Sequence, residues 1–198
     1  FRVLEGAEVG PPLGAAKGGW RFRFIDSDES ALPRLENALA AAGAMLARDA
    51  TIAVISGAPA RATAPEVPLL AIGEGALWLL GRAGAPTATL ARPEFARAVA
   101  GRASREGFLD ELGAFNAGWY ATRAVRAGTL PADWLESAVS EEGWVLAAQH
   151  REQRARVLLF RPDSVLSLHG AAGMRALQAA FAWLDRGMFA RESDKENA

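Results

Sequence analysis

The polar residues with the most chemical potential stand where apolar segments end. Arg161, Asp163 and Ser164 follow the apolar run VLLF, and Glu74 comes just after the apolar run LLAI. Turns that follow buried strands often carry nucleophiles, bases or anion sites. An arginine stays protonated, so Arg161 cannot act as a general base. The pattern favours a local ion pair between Arg161 and Asp163, with an anion-binding site as the alternative.

Composition excludes several classes of site. The 198 residues contain no cysteine and only two histidines, His150 and His169. A cysteine nucleophile, a disulfide, a thiolate metal site and a three-histidine metal site are therefore excluded. Lys+Arg (22) nearly balance Asp+Glu (23), which gives no support for a nucleic-acid or membrane-surface partner. No apolar run is long enough for a transmembrane helix.

The first residues give expectations about compartment and boundaries. Phe1–Glu5 lack the basic-then-apolar order of a signal peptide, and we expect a cytoplasmic protein. The chain does not begin with methionine, so we expect a fragment or a processed product. The Gly/Pro/Ala-rich start predicts a linker over residues 1–19, a single domain over 20–187 and a tail over 188–198.

Short apolar segments alternate with amphipathic ones in the first half of the chain. This order predicts an α/β fold whose mainly parallel sheet is covered by helices on both faces. The expected elements are a strand from Trp20 to Phe24, a helix ending near Arg48, strands Thr51–Ser56 and Val67–Ile72, and a helix Ala76–Arg82. Asp26 and Asp28 suit a helix cap better than a metal site.

The second half is less regular. Pro93–Arg105 is predicted to be helical, and residues 106–125 give no clear pattern. Trp144–Gln149 and Arg156–Phe160 read as paired strands joined by a polar turn. Met174–Leu184 has the apolar spacing of a final amphipathic helix.

Three stretches together resemble one family, the class I glutamine amidotransferases of the anthranilate synthase and aminodeoxychorismate synthase type. Residues 24–46, beginning FIDSDES, resemble the family's opening I-D-N-x-D-S-F and the helix that follows it. Residues 52–85 resemble its SPGPGxP loop and G-I-C-x-G elbow through SGAPA and AIGEG. Residues 129–184 are similar to its TLP, RH, Q-F-H-P-E-S and HG steps through TLP, QH, FRPDS and HG. The resemblance implies a three-layer, flavodoxin-like α/β sandwich.

The resemblance also assigns the family's functional positions. Its nucleophilic cysteine falls on Gly73, and its histidine base and orienting carboxylate fall on Arg161 and Asp163. The glutamine-gripping residue falls on Leu77, and the oxyanion glycine falls on Ala58. Glutamine hydrolysis needs a nucleophile, a base and oxyanion donors, so the resemblance implies a catalytically degenerate domain, and both histidines fall on non-catalytic positions.

The expected function follows from that degeneracy. We expect a glutaminase-inactive, structural or regulatory domain of an anthranilate-synthase-like enzyme that takes any ammonia from solution. Its partner would be a chorismate-using synthase, fused or separate. No cofactor is expected in this domain, and Mg²⁺ is expected in the partner by resemblance only.

One alternative is a stand-alone sensor that binds a small metabolite in the vacated pocket. The candidate pocket residues are Ala58, Gly73, Glu74, Leu77, Trp119 and Arg161. Bland interpretations stand beside this one: Glu74 suits a solvated turn, and Trp119 with Tyr120 suits core packing.

Overall fold

The fold is organised around one mixed β-sheet. The computed structural model describes residues 19–25, 32–58 and 67–193. Within these residues the strand order is β2-β1-β3-β4-β9-β8-β7-β5-β6. The elements are β1 (Trp20–Phe24), α1 (Leu32–Ala41), β2 (Ala44–Leu46), β3 (Ile52–Ile55), β4 (Leu69–Ile72), α2 (Glu74–Arg82), β5 (Thr87–Ala103), β6 (Ala114–Val125), β7 (Trp134–Ser140), β8 (Val145–His150), β9 (Ala155–Leu158), α3 (Val165–Leu168) and α4 (Ala172–Ser193).

Five strands form the parallel half of the sheet. β2, β1, β3, β4 and β9 pair in parallel in that order. β3, β4 and β9 are buried along their whole length, as strands covered by helices on both faces must be. The predicted α/β fold with a parallel core is confirmed.

The other half of the sheet is antiparallel. β9 turns back to β8, and the order continues through β7 and β5 to the edge strand β6. The predicted pairing of the segments around Trp144–Gln149 and Arg156–Phe160 is confirmed, because Ala147 pairs with Leu158 and Gln149 with Arg156.

Helices cover both faces of the sheet and make three layers. One hydrophobic cluster packs α1 and α4 against the sheet through residues such as Leu35, Leu177 and Phe181. A second cluster packs α2 on the opposite face through Leu77 and Leu80. No helix among the described residues is long and apolar enough to span a membrane.

The prediction of a helix over Pro93–Arg105 is wrong, because most of these residues belong to strand β5. Residues 97–102 pair with β6, and burial alternates along part of this stretch. Ala96 has φ 54°, which a right-handed helix does not allow. The helix-favouring Ala and Arg residues of this stretch are overridden by pairing with β6.

The first helix ends earlier than predicted. α1 stops at Ala41, and Gly43 has φ 96°, a left-handed position that ends helices. The chain then forms β2, so the predicted helical extension to Arg48 is wrong. α4 continues past residue 187 to Ser193. The predicted linker up to residue 18, and Asp26 and Asp28, lie outside the described residues.

Candidate functional site

Two turns meet at one edge of the parallel sheet. β4 and β9 are neighbours and parallel, so the turn after Ile72 and the turn after Phe160 lie side by side. The main-chain N–H of Gly73 donates to the carbonyl of Leu158 at 2.8 Å. The carboxyl ends of parallel strands are where open α/β folds place their ligands, so we take this edge as the candidate site.

The first turn is a sharp strand-to-helix elbow at Gly73. This residue has φ 58° and ψ −120°, a conformation that side-chain-bearing residues rarely adopt. Gly75 is required for a different reason. A Cβ at Gly75 would lie 2.7 Å from the carbonyl oxygen of Ile55, so α2 can start this close to β3 only with glycine there.

The second turn presents Arg161 to the elbow. A Cβ built on Gly73 would lie 3.7 Å from Cδ of Arg161, so a side chain at position 73 would contact the side chain at 161. The two positions to which the resemblance assigns a nucleophile and a base therefore face each other. Here they carry a hydrogen atom and a guanidinium, which supply neither a nucleophile nor a proton acceptor.

Arg161 and Asp163 form a bidentate ion pair. Nε of Arg161 donates to Oδ1 of Asp163 at 2.8 Å, and Nη2 donates to Oδ2 at 2.7 Å. The Asp163 side chain is only 1% exposed and that of Arg161 is 27% exposed. A fork of two charge-assisted bonds holds the guanidinium in a fixed orientation. The local ion pair favoured by the sequence is present.

Strand β6 is joined to the second turn by hydrogen bonds. The N–H of Arg161 donates to the carbonyl of Gly118 at 2.9 Å. The N–H of Gly118 donates to Oγ of Ser167 at 2.7 Å, and that hydroxyl donates to the carbonyl of Arg161 at 2.7 Å. The hydroxyls of Tyr120 and Ser164 lie 3.2 Å apart. These bonds join β6, the turn and α3 into one rigid unit.

Gly118 allows this close approach. A Cβ there would lie 2.7 Å from Cβ of Ser164 and 3.0 Å from Oγ of Ser167. The sequence reasoning missed Gly118 and Ser167. The available signals were a glycine among the aromatic residues of AGWY and the serines at 164 and 167, spaced to share one face of a short helix.

The structure does not bring all predicted pocket residues together. Leu77 is buried in the α2-side cluster, whereas Trp119 is buried in the cluster on the α1 and α4 face. Tyr120, one residue on, is the aromatic residue that reaches the second turn. Trp119 therefore has the core-packing role that was the alternative to a pocket role. Ala58 is exposed and stands at the end of a described segment.

Glu74 lies on the surface beside the elbow. Its carboxylate is 3.8 Å from Nη2 of Arg123 on β6, and both side chains are about half exposed. An exposed pair at this distance contributes little, in agreement with a solvated turn carboxylate. No group of three or more acidic or histidine side chains with metal-binding potential occurs within the described ranges.

His150 has a structural role at the end of β8. Its Nδ1 accepts from the N–H groups of Glu152 and Gln153 at 3.2 and 2.9 Å, and its ring packs edge-on against Trp134. It therefore orders the polar turn between β8 and β9. His169 opens a 3-10 turn between α3 and α4.

Comparisons with known proteins agree with this architecture. No protein-family model matches the chain. The chain is 28% identical, over 209 aligned positions, to the anthranilate synthase of Azospirillum brasilense. That alignment covers 88% of this chain, which spans only 28% of the relative's length.

Two solved structures share the fold. A GMP synthase subunit from Thermoplasma acidophilum superposes with a TM-score of 0.68 at 14% identity, covering 87% of this chain and 98% of that one. A glutamine amidotransferase from Thermotoga maritima superposes with a TM-score of 0.60 at 12% identity, covering 83% and 98%. The chain therefore has the α/β fold of these two solved structures.

Proposed function

We propose that this chain is a glutaminase-inactive amidotransferase-like domain of an anthranilate-synthase-type enzyme, with a structural or regulatory role. Its partner is a chorismate-using synthase, either fused to it or bound as a separate chain, and the pair works in the cytoplasm. Any ammonia that the partner needs comes from solution.

One observation carries the proposal: Gly73 and Arg161 face each other where a nucleophile and a base would have to stand. A Cβ at position 73 would lie 3.7 Å from Cδ of Arg161, which puts the two positions in direct contact range. The sequence contains no cysteine that could act from a neighbouring position. Losing both groups at once removes covalent catalysis and proton transfer together.

The partnership is supported by the similarity to an anthranilate synthase over most of this chain. Because the chain spans about a quarter of that relative, the synthase reaction would belong to the remaining length or to a separate chain. Hydrogen bonds also join β6, the second turn and α3, so this edge is ordered without a nucleophile or a base, as a structural role requires.

The sensor alternative gains no support from the described residues. It needed Trp119 in a pocket with Gly73 and Arg161, but Trp119 is buried in the cluster on the α1 and α4 face. Arg161 is engaged by Asp163 through two hydrogen bonds, so an anion would compete with a carboxylate already in place.

The test is the nitrogen source of the full-length enzyme that contains this domain. It is assayed with chorismate and Mg²⁺, and with either glutamine or an ammonium salt. We expect product formation with ammonium and none with glutamine, and no glutamate release from glutamine in either case.

A matched variant separates the domain from a contaminating glutaminase. Arg161→Ala removes the guanidinium at the elbow, and a contaminant would be unaffected by it. Glutamate release that falls in Arg161→Ala, measured on protein of equal purity, would contradict the proposal.

A further inference from the structure

Strand β5 contains a long bulge over residues 90–96. From Thr89 to Arg97 the chain takes eight steps, whereas their partners on β6, Arg123 and Trp119, are only four steps apart. The four additional residues have no place in the ladder and bend the strand out of it. Residues 91–93, 95 and 96 are accordingly exposed, so the bulge forms a protrusion beside the edge strand β6.

The bulge presents an aromatic side chain to solvent. Phe95 is 71% exposed, although burying a phenylalanine is normally favourable. The next residue, Ala96, has φ 54°, a left-handed conformation that residues with a side chain rarely adopt. Strain of this kind persists only where the surrounding structure imposes it. A strained residue directly after an exposed ring indicates a segment shaped to present Phe95.

A depression of about 280 Å³ lies next to this knob. Its floor is apolar and includes Leu90, Val99 and Trp144. The ring of Trp144 is held by Arg126, whose guanidinium carbon lies 3.7 Å from the ring centre. Phe95 does not line the depression, so its own ring does not fill it. An apolar cavity of about 150 Å³ can hold benzene, and this depression is therefore large enough for a phenyl ring.

The rim of the depression carries charges of both signs. Nη1 of Arg97 lies 3.0 Å from Oε1 of Glu94, and Arg97 also pairs with Glu142. One guanidinium therefore serves two carboxylates, which leaves one negative charge in excess. Arg92 lies on the same rim, and no carboxylate among the described residues forms an ion pair with it.

The patch is complementary to itself. It contains a knob, a hole that the knob does not fill, a surplus carboxylate and an unpaired guanidinium. A twofold axis through such a patch places each feature of one copy opposite its complement on the other. An unrelated partner would have to supply a knob, a hole and both charges of its own, whereas a second copy of this chain already has them.

We propose that this chain forms a twofold-symmetric dimer through the β5 bulge. Phe95 of each copy enters the depression of the other, and Arg92 pairs with Glu142 across the interface. A buried aromatic side chain covers about 150–250 Å², so two knobs and their rims make an interface at the small end of the usual range. We therefore expect a Kd of about 10–100 µM. The inference is independent of whether the elbow is inactive.

Sedimentation equilibrium of the intact chain, from about 1 to 500 µM, measures the dimer directly. Phe95→Ser should raise the dimer Kd about tenfold or more. Met45→Ser is the matched control, because Met45 is also a large exposed side chain, 59% accessible, but lies on β2 at the opposite edge of the sheet. It should leave the Kd unchanged. Urea denaturation checks that both variants are folded.

A charge exchange tests the symmetry of the pairing. Arg92→Glu places two carboxylates opposite each other at both ends of the interface, and Glu142→Arg places two guanidinium groups there. Each variant alone should dimerise about tenfold more weakly than the parent. An equimolar mixture of the two restores an opposite-charge pair at both ends, so mixed dimers should form with a Kd close to that of the parent.

Three results would overturn the proposal. The first is a chain that stays monomeric up to about 500 µM. The second is a dimer that Met45→Ser weakens and Phe95→Ser does not, and the third is a mixture of the two charge variants that dimerises no better than either alone. If the parent is monomeric and Phe95→Ser instead lowers the activity of the full-length enzyme, the knob contacts another part of that enzyme and not a second copy.

Discussion

At the residue scale, the elbow is a sharp strand-to-helix turn with a glycine, and therefore no side chain, at its tip. The motif alignment predicted that positions 73 and 161 correspond to nucleophile and base, and the structure places them in contact distance. Their identities were readable from sequence because the motifs have fixed spacing. Gly118 and Ser167 were not, because their roles arise from a contact between segments that are far apart in the chain.

Gly73→Ala should destabilise the domain. The residue has φ 58°, and forcing a side chain into such a conformation costs on the order of 1–3 kcal/mol. The space itself is open enough for a methyl group, since the nearest atom is 3.7 Å away, so backbone strain dominates. Urea denaturation measures the loss.

Gly81→Ala is the matched control. Gly81 lies in α2, and nothing is within 4 Å of a Cβ built there. Alanine in a helix is favoured over glycine by up to about 1 kcal/mol, so this variant should be as stable as the parent or more so. Equal stability of the two variants would show that the elbow carries no strain.

At the element scale, the long strand β5 shows where pattern reasoning fails. Residues 93–105 contain helix-forming Ala and Arg, and their spacing alone favours a helix. Register shifts between Thr89 and Glu94 and between Glu94 and Arg97 interrupt the pairing with β6, which hides the two-residue period in sequence. The β8–β9 pair was predictable because a short polar turn separates two clean apolar runs.

Ser167→Ala tests the junction of β6, the second turn and α3. The substitution removes the acceptor of the Gly118 N–H and the donor to the carbonyl of Arg161. Leaving buried main-chain groups unpaired costs about 1–3 kcal/mol, and we expect this loss in urea denaturation. The helical circular dichroism signal of the folded protein, measured before urea unfolds it, should change little.

Thr129→Val serves as the comparison for that loss. Thr129 also donates to a main-chain carbonyl, that of Arg126 at 2.8 Å, but in an exposed turn. Water replaces such a bond, so the change should stay within about 0.5 kcal/mol. Equal effects of the two hydroxyl deletions would remove the special role given to Ser167.

At the scale of the whole molecule, the two ends of the parallel strands carry different features. The elbow and its facing turn lie at the carboxyl ends of β4 and β9, and a solvent-facing cleft lined by Trp20, Phe108 and Trp183 lies at the opposite end. The α/β class and both covered faces were predictable from the order of short apolar segments. The cleft was not, because it brings together residues from β1, the segment before β6 and α4, which no local pattern connects.

The stability of the molecule should depend on pH through Arg156. Burial of this β9 side chain, and then repulsion from Arg154, lower its pKa in the folded protein to about 10, below the ordinary arginine value that applies to the unfolded chain. Between those two values the unfolded chain binds more protons than the folded chain, so the free energy of unfolding rises with pH. Below about pH 10 both states are protonated, and the full cost of the buried charge remains.

Comparison with Arg156→Met isolates this group from other titrations. From about pH 8 to about pH 11, the stability of the parent should rise relative to that of the variant. Urea denaturation of both proteins in the same buffers measures the difference. A difference that is constant with pH, or that falls, would show that burial does not disfavour the charged form of Arg156.

Because of the conformation of Gly73, a substitution that brings glycine to this position and one that removes it have opposite effects on stability. Glycine avoids the strain of such a backbone conformation, whereas adding any β-carbon at position 73 introduces that strain. Replacing Arg161 by a base would also break its ion pair with Asp163. Each single substitution toward a nucleophile or a base would therefore lower the stability of the domain before both groups were present.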